Sequence, residues 1–336
     1  MKNILVTGGL GFIGSHVVVD LQKLGYKVLI IDNLSNSKIE VVDQITAITG
    51  VKPAFFQIDL RNKKEVANFF LQNTVDGVIH FAASKAVGES VSDPLKYYEN
   101  NINSLVYLLQ SMKENEINNL IFSSSCTVYG QADELPITEN APIKKAESPY
   151  GNTKKVGEEI LKECSEAYGI KAIALRYFNP IGAHESVKIG ELPIGTPQNL
   201  IPFVTQTAAG IRKELAVFGD DYPTEDGTAV RDYIHVVDLA KAHVAALNRL
   251  LKNTSNLTYE VFNIGTGKGT SVMEVINSFE EVTNTKLKYK IVSRREGDIT
   301  AAYADTTKAN EVLGWSADKT LEEGLLSAWQ WQEKQK

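Results

Sequence analysis

The sequence predicts a doubly wound α/β fold, a parallel sheet covered on both faces, with a smaller C-terminal lobe. Three observations carry this. Short apolar runs alternate with helical patterns through the first half of the 336 residues. The runs are too apolar for the alternation of a half-exposed sheet, so they belong to strands buried on both sides. A glycine-rich turn follows the first run and opens a helix.

The strand-like runs lie at 2–7, 27–32, 53–58, 75–81, 118–124 and 171–176. Helical patterns fill the intervals at 12–24, 38–49, 62–72, 93–115 and 149–168. From Asn179 to Thr228 the chain turns loop-rich, and helical patterns return near 238–251, 271–283 and 320–333. Residues 1–178 are therefore expected to form a Rossmann-type domain to which some later segments return. Residues 179–336 are expected to form a substrate lobe packed against it. Ligands in such folds gather at the carboxyl ends of the strands.

Composition narrows the function. Apolar residues are 43% and the net charge is −6, which gives a sizeable core and no overall pull towards nucleic acid or an anionic membrane. The two cysteines, Cys126 and Cys164, form no disulfide framework, and no Cys/His cluster has metal spacing, so no metal is expected. The start Met1-Lys2-Asn3 lacks a secretory pattern, and no apolar run reaches the ~18 residues of a membrane span. A cytoplasmic, reducing location is the expectation.

In Gly8-Gly9-Leu10-Gly11-Phe12-Ile13-Gly14, Gly8 permits a tight turn and Gly11 lets the backbone approach a pyrophosphate. Gly14 lets the helix pack closely, and the free N–H groups at the helix start face the phosphates. Eighteen residues past Gly14, the second strand ends in Asp32. A carboxylate there accepts from the adenosine ribose hydroxyls and repels a 2′-phosphate, which favours NAD over NADP. Asp59 closes the third strand and is placed to reach the adenine.

The fifth strand ends in Ser123-Ser124-Ser125-Cys126, and Ser148-Pro149-Tyr150-Gly151-Asn152-Thr153-Lys154 opens a helix. Tyr150 and Lys154, four apart, share a helix face. A phenol is a poor base at pH 7, and lowering its pKa by about three units takes roughly 4 kcal/mol. A cation a few ångströms away supplies about that much. Lys154 and the positive nicotinamide ring are both candidates. Tyr150 would then take a substrate hydroxyl proton, shared with Ser125, while hydride leaves the same carbon for NAD. Cys126 has no sequence-neighbouring His to activate it and reads as packing.

The chain resembles the extended short-chain dehydrogenase/reductase family, in its nucleotide-sugar 4-epimerase branch. The resemblance spans the whole chain. Besides the glycine loop it rests on Asp32-Asn33-Leu34-Ser35-Asn36-Ser37, on His80-Phe81-Ala82-Ala83-Ser84-Lys85 and on Tyr98-Glu99-Asn100-Asn101. Arg176-Tyr177-Phe178-Asn179-Pro180, Tyr222-Pro223-Thr224, Arg231-Asp232-Tyr233 and Arg294-Arg295-Glu296-Gly297-Asp298 follow. It implies that NAD is held by Phe12, Ile13, the Asp32 to Ser37 segment, Asp59, Leu60, Phe81, Ala82, Ala83, Ser84, Lys85, Asn100, Tyr150, Lys154 and Phe178. Ser125 and Tyr150 contact the reacting sugar hydroxyl. Lys85, Asn179, Asn199, Leu200, Ala216, Val217, Phe218, Arg231, Arg295 and Asp298 line a UDP-hexose site. Arg231 and Arg295 suit phosphate oxygens, although surface pairing with Asp232 and Glu296 is the simpler role for either alone.

The implied reaction is reversible inversion at carbon 4 of the hexose through a 4-keto sugar, in galactose metabolism. In the family, the fourth residue after Asp298 gates the space near carbon 2. Here it is Ala302, with Tyr303 one place later, so the N-acetylated sugars are expected to fit as well, unless the register slips by one. The dehydratase relatives carry Asp-Glu where this chain has Cys126-Thr127. A plain dehydrogenase would release reduced cofactor, and a silent dinucleotide sensor would not need Ser125, Tyr150 and Lys154 together. The 93–115 and 149–168 helices carry Leu105, Leu109, Met112, Ile160, Leu161 and Cys164, for the core or for a partner helix. The family pairs such helices, and a homodimer is expected.

Overall fold

The computed structural model describes residues 1–295 and 297–335; Glu296 of the Arg-Arg-Glu-Gly-Asp motif lies outside them. The first half alternates β1 (Asn3–Thr7), α1 (Phe12–Lys23), β2 (Lys27–Asp32), α2 (Val41–Thr49), β3 (Ala54–Gln57), α3 (Lys63–Gln72) and β4 (Gly77–His80). Then come α4 (Val87–Ser92), α5 (Pro94–Glu114), β5 (Asn119–Ser123), α6 (Pro149–Tyr168) and β6 (Lys171–Tyr177). The rest is made of β7 (Asn179–Ile181), α7 (Leu200–Ala208), β8 (Leu215–Phe218), β9 (Val230–Arg231), β10 (Tyr233–His235) and α8 (Val236–Leu251). It ends with β11 (Tyr259–Ile264), β12 (Thr270–Ser271), α9 (Val272–Thr283), β13 (Tyr289–Val292), β14 (Ala301–Ala302) and α10 (Leu321–Glu333).

Seven strands form one sheet in the order β11-β6-β5-β4-β1-β2-β3, every neighbouring pair parallel. Six of these strands are the six sequence runs, and β11 is an addition that periodicity alone did not single out. Burial on both faces explains the unbroken apolar runs. In β1, Ile4 and Val6 join the core under α1, α2 and α8, while Leu5 joins the core under α3, α5 and α6. The return of α8 and β11 to the sheet follows from this packing: Leu239, Leu247 and Phe262 complete the first core.

Local chemistry fixes where helices begin. α6 starts with Ser148 accepting from Gly151 N–H at 3.1 Å, followed by Pro149, and ends at Gly169 with φ +71°. α9 and α10 open on capping boxes, Ser271 with Glu274 and Thr320 with Glu323. The C-terminal lobe has its own core, in which Val204, Val217, Phe279 and Trp329 meet between α7, β8, α9 and α10. The sheet and this lobe meet where β7 and β10 pair in parallel beyond the end of β6.

Leu105, Leu109, Met112 and Leu161 all face the sheet and are buried in its second core, with Ile160 and Cys164 half-buried beside them. The core reading of these residues is therefore the one the structure supports. The outer side of the α5–α6 pair carries other residues, Leu95, Tyr98, Ile102 and Val156, around an open groove.

Candidate active site

The glycine turn packs backbone on backbone. Gly8 has φ +69°, and a Cβ there would lie 2.8 Å from Ala82 N. A Cβ on Gly14 would lie 2.3 Å from the Gly8 carbonyl oxygen, so the helix can approach the turn only with hydrogen in that place. Gly11 is the N-cap of α1 and brings no side-chain cap to its first N–H groups. This is a cradle for phosphate oxygens, and it suits the dinucleotide that the sequence implies.

Asp32 stands at the end of β2 beside this turn. Its carboxylate accepts from Leu34 N–H at 2.9 Å, Ser37 Oγ–H at 2.8 Å and Leu10 N–H at 3.2 Å. The glycine turn and the Asn33, Leu34, Ser35, Asn36, Ser37 loop are thus tied to one side chain. Asn33 donates to Asp59 at 3.2 Å, and Leu60 is buried in the second core. The Arg61 guanidinium beside Asp59 holds that carboxyl down to about 2.

Beyond β4, the loop Phe81, Ala82, Ala83, Ser84, Lys85 is clamped by Asn101. Asn101 accepts from Ser84 N–H at 2.8 Å and donates to Ser84 O at 3.0 Å and to Thr153 Oγ1 of α6 at 3.0 Å. Its neighbour Asn100 donates to Ser84 Oγ at 3.2 Å. The sequence reading assigned Asn100 but passed over Asn101, whose signal was a second amide on the buried face of α5.

Ser125, Tyr150 and Lys154 come together at the end of β5. All three are buried, at 6%, 8% and 4% exposure. Ser125 caps the turn Cys126–Tyr129 by accepting from Thr127 N–H at 3.2 Å, and its hydroxyl acts to lower the pKa of the Tyr150 phenol. Lys154 Nζ donates to the Ser123 carbonyl at 2.6 Å and lies 5.9 Å from the Tyr150 ring centre. Burial pushes the Lys154 ammonium down to about 8. Burial also raises the Tyr150 phenol above its ordinary value, with Tyr177 adding to the rise. Of the two candidate tuning charges, Lys154 and the nicotinamide ring, the polypeptide supplies only Lys154, and there burial raises the phenol. Cys126 is pushed up to about 12 by burial, which leaves it a packing thiol rather than a nucleophile.

The substrate-side residues come from separate segments. Arg231, in β9, pairs with Asp298 and donates to Val230 O at 2.8 Å. Asp232 is not its partner. That carboxylate is buried and accepts from Thr266 N–H at 2.8 Å, Gly267 N–H at 3.1 Å and Ala304 N–H at 3.2 Å. The Arg295 guanidinium lies 4.4 Å from the Phe218 ring centre. Ala216 and Phe218 are half-buried in β8, whereas the Val217 side chain between them points into the lobe core. Asn199, the N-cap of α7 beside Leu200, donates to Glu191 at 2.9 Å. Glu191 also pairs with Lys85 at 3.0 Å, joining the cofactor side to the substrate side. No sequence signal marked Glu191, which sits in an irregular loop. Asn179 N–H donates to Asp232 O at 2.9 Å, next to the buried Phe178.

Ala302, in β14, pairs with Arg231 and is buried in one cluster with Val128, Tyr129 and Phe178, against which Cys126 packs. Tyr303 turns the other way, its ring against Gly269. The small residue, not the phenol, faces the turn that follows Ser125.

A tyrosine and a lysine buried together on one helix face, above a glycine turn, are the mark of short-chain dehydrogenase/reductases, and the added lobe makes this an extended member. The family profile described as GDP-mannose 4,6 dehydratase matches residues 5–327. A UDP-glucose 4-epimerase of Bacillus subtilis (strain 168) is 48% identical over 98% of this chain and 96% of its own. The crystal structure of UDP-glucose-4-epimerase from Stenotrophomonas maltophila, with bound NAD and formylated UDP-arabinopyranose, superposes with a TM-score of 0.96. It is 46% identical and covers 100% of this chain and 99% of its own. The UDP-Glc/GlcNAc 4-epimerase from Campylobacter jejuni is 35% identical, with a TM-score of 0.86 over 99% of this chain and 100% of its own. The chain belongs to the UDP-glucose 4-epimerase family.

Proposed function

We propose that this chain interconverts UDP-glucose and UDP-galactose, and also their N-acetyl forms, by NAD-dependent epimerisation at carbon 4, in galactose metabolism. The observation that carries the proposal is the convergence of Ser125, Tyr150 and Lys154 at one strand end beside the glycine cradle. NAD, held by the glycine turn, the Asp32 loop, the Ser84 loop and Lys154, supplies the acceptor and donor of hydride at carbon 4. Tyr150 takes the 4-hydroxyl proton and later returns it, and Ser125 shares the hydrogen bond. Lys154, together with the positive charge that a bound nicotinamide would bring, would move the Tyr150 phenol towards its working range. Arg231 and Arg295 hold the diphosphate while the 4-keto sugar turns to present its other face.

The position of Ala302 supports the wider substrate range, because a methyl leaves room for an acetamido group without overpacking. Cys126 and Thr127 speak against dehydration, since neither supplies the acid or base for eliminating water. The groove at Leu95, Tyr98, Ile102 and Val156 suits a second copy of the chain, and the expected form is a homodimer in the cytoplasm. Sizing that finds only monomer at micromolar protein would remove the dimer. The decisive experiment separates the products of UDP-galactose and UDP-N-acetylgalactosamine by chromatography. Both are expected to convert. Tyr150→Phe should lose 10²-fold or more of the turnover while keeping its NAD, and Ala302→Tyr should lose only the N-acetyl reaction.

A further inference from the structure

The helix face that carries Tyr150 and Lys154 continues one turn further to Glu158, a buried carboxylate that the chemistry above leaves unused. Its oxygens accept from Arg176 Nε at 2.9 and 3.2 Å and from Arg176 Nη2 at 2.5 Å. They also accept from Ser124 Oγ and from Tyr259 OH, the latter at 3.3 Å. Arg176 continues to Tyr129 OH at 2.9 Å, and Tyr129 donates to Asn263 at 2.6 Å. One carboxylate therefore ties α6 to the ends of β5, β6 and β11.

Its place among the reacting groups matters more than its pairing. Ser124 lies between Ser123, whose carbonyl holds Lys154, and Ser125. We propose that Glu158 is a positioning residue for epimerisation: through Ser124 it fixes the strand end bearing Ser125 against the helix face bearing Tyr150 and Lys154. This rests on the catalytic reading of Ser125, Tyr150 and Lys154.

Among the described residues that face Lys154, Glu158 brings the negative charge. From β4 comes His80, whose imidazole burial pushes down to about 3, so it is neutral. From β5 come the Phe122 ring, 5.0 Å from Nζ, and the Ser123 carbonyl. From β6 comes Tyr177, hydrogen-bonded to Ser123 Oγ and pushed up to about 12, with Arg176 committed to Glu158. Tyr150, on the same helix, is a neutral phenol. Burial lowers the Lys154 pKa and Glu158 opposes the fall. Removing the carboxylate charge must lower it further, so the lysine loses its proton at lower pH.

The test is the pH profile of kcat with UDP-galactose for the wild type, Glu158→Gln and Ser124→Ala. For Glu158→Gln the expected result is kcat at least tenfold lower near neutral pH, with KM within twofold and NAD content retained. Its alkaline limb should move to lower pH. Ser124→Ala, which keeps the charge, should lower kcat about fivefold with the limb unmoved. A purely structural ion pair would change stability without moving the limb, so an unmoved limb in Glu158→Gln overturns the proposal. If that variant does not fold, Ser124→Ala decides, and kcat within twofold of wild type overturns it. A wild type that does not convert UDP-galactose, or a Tyr150→Phe variant that does, breaks the catalytic reading instead.

Discussion

The sheet half and the C-terminal lobe build their parts of the site in opposite ways. On the sheet side, each contributor hangs on the end of a parallel strand. Gly8 follows β1, Asp32 ends β2, the Ser84 loop follows β4 and Ser125 follows β5. Neighbouring strand ends in one sheet are close by construction, so short local motifs suffice. The lobe has no such frame. Its contributors come from short strand pairs, β8 with β13 and β9 with β12 and β14, and are joined by side chains such as Arg231 with Asp298. A backbone scaffold carries the proposed cofactor residues, whereas charge pairs and packing hold the proposed substrate residues. That division would suit the proposed reaction, in which one ligand stays still and the other turns.

If the halves were independent, acid would separate them, and this is the largest effect expected. Burial holds His16 and His80 down to about 3 and His235 and His243 down to about 4. Each binds a proton on unfolding, so between pH 6.5 and those values the unfolded chain carries more protons and stability falls as pH falls. Asp20, raised to about 6 by burial, works the other way between 3.8 and 6, and buried Asp232 is raised as well, but the four histidines outnumber these two groups. At pH 5.5 the loss is about 1 kcal/mol per histidine. Because α8 packs on α1 under a shared core, one transition is expected in denaturant titrations at pH 7.5 and 5.5. Two separate transitions would break the picture of a single framework.

The next effects should split by side. Gly14→Ala forces a Cβ onto the Gly8 carbonyl and should cost about 3 kcal/mol of stability and most of the bound NAD. Thermal melting and cofactor content measure both. Arg231→Met removes a charged donor on the other side and should raise KM for the UDP-sugar roughly 30-fold, about 2 kcal/mol, with NAD content unchanged. If it also emptied the cofactor site, the division of labour would be wrong. Glu191→Gln weakens the bridge between Lys85 and Asn199 and should have the smallest effect, a rise in KM of about threefold. A change in steady-state kcat without a change in KM would place Glu191 elsewhere in the cycle.

The two sides also differ in how far the sequence discloses them. The glycine turn, Asp32 and the Tyr150–Lys154 pair could be read directly, because each is a local pattern whose spacing has a geometric meaning. Strand β11 was not read, since Glu260 and Asn263 interrupt its apolar residues and it shows no continuous run. Glu191 carries no sequence signal and Asn101 enters only within a quoted motif, without a role, because each matters through contacts with residues far away in the chain.

By itself the sequence determined the parallel sheet, the place of six of its strands along the chain, the phosphate turn and the helix face carrying the phenol and the ammonium. Backbone hydrogen bonding and the periods of helix and strand make those features local. Tertiary structure alone decided which way Ala302 and Tyr303 face, that Arg231 pairs with Asp298 and not with Asp232, and that Val217 belongs to the core. It also decided that burial, more than Lys154, sets the resting state of Tyr150. Desolvation and charge depend on what surrounds a residue in space, and that depends on the packing of the whole chain.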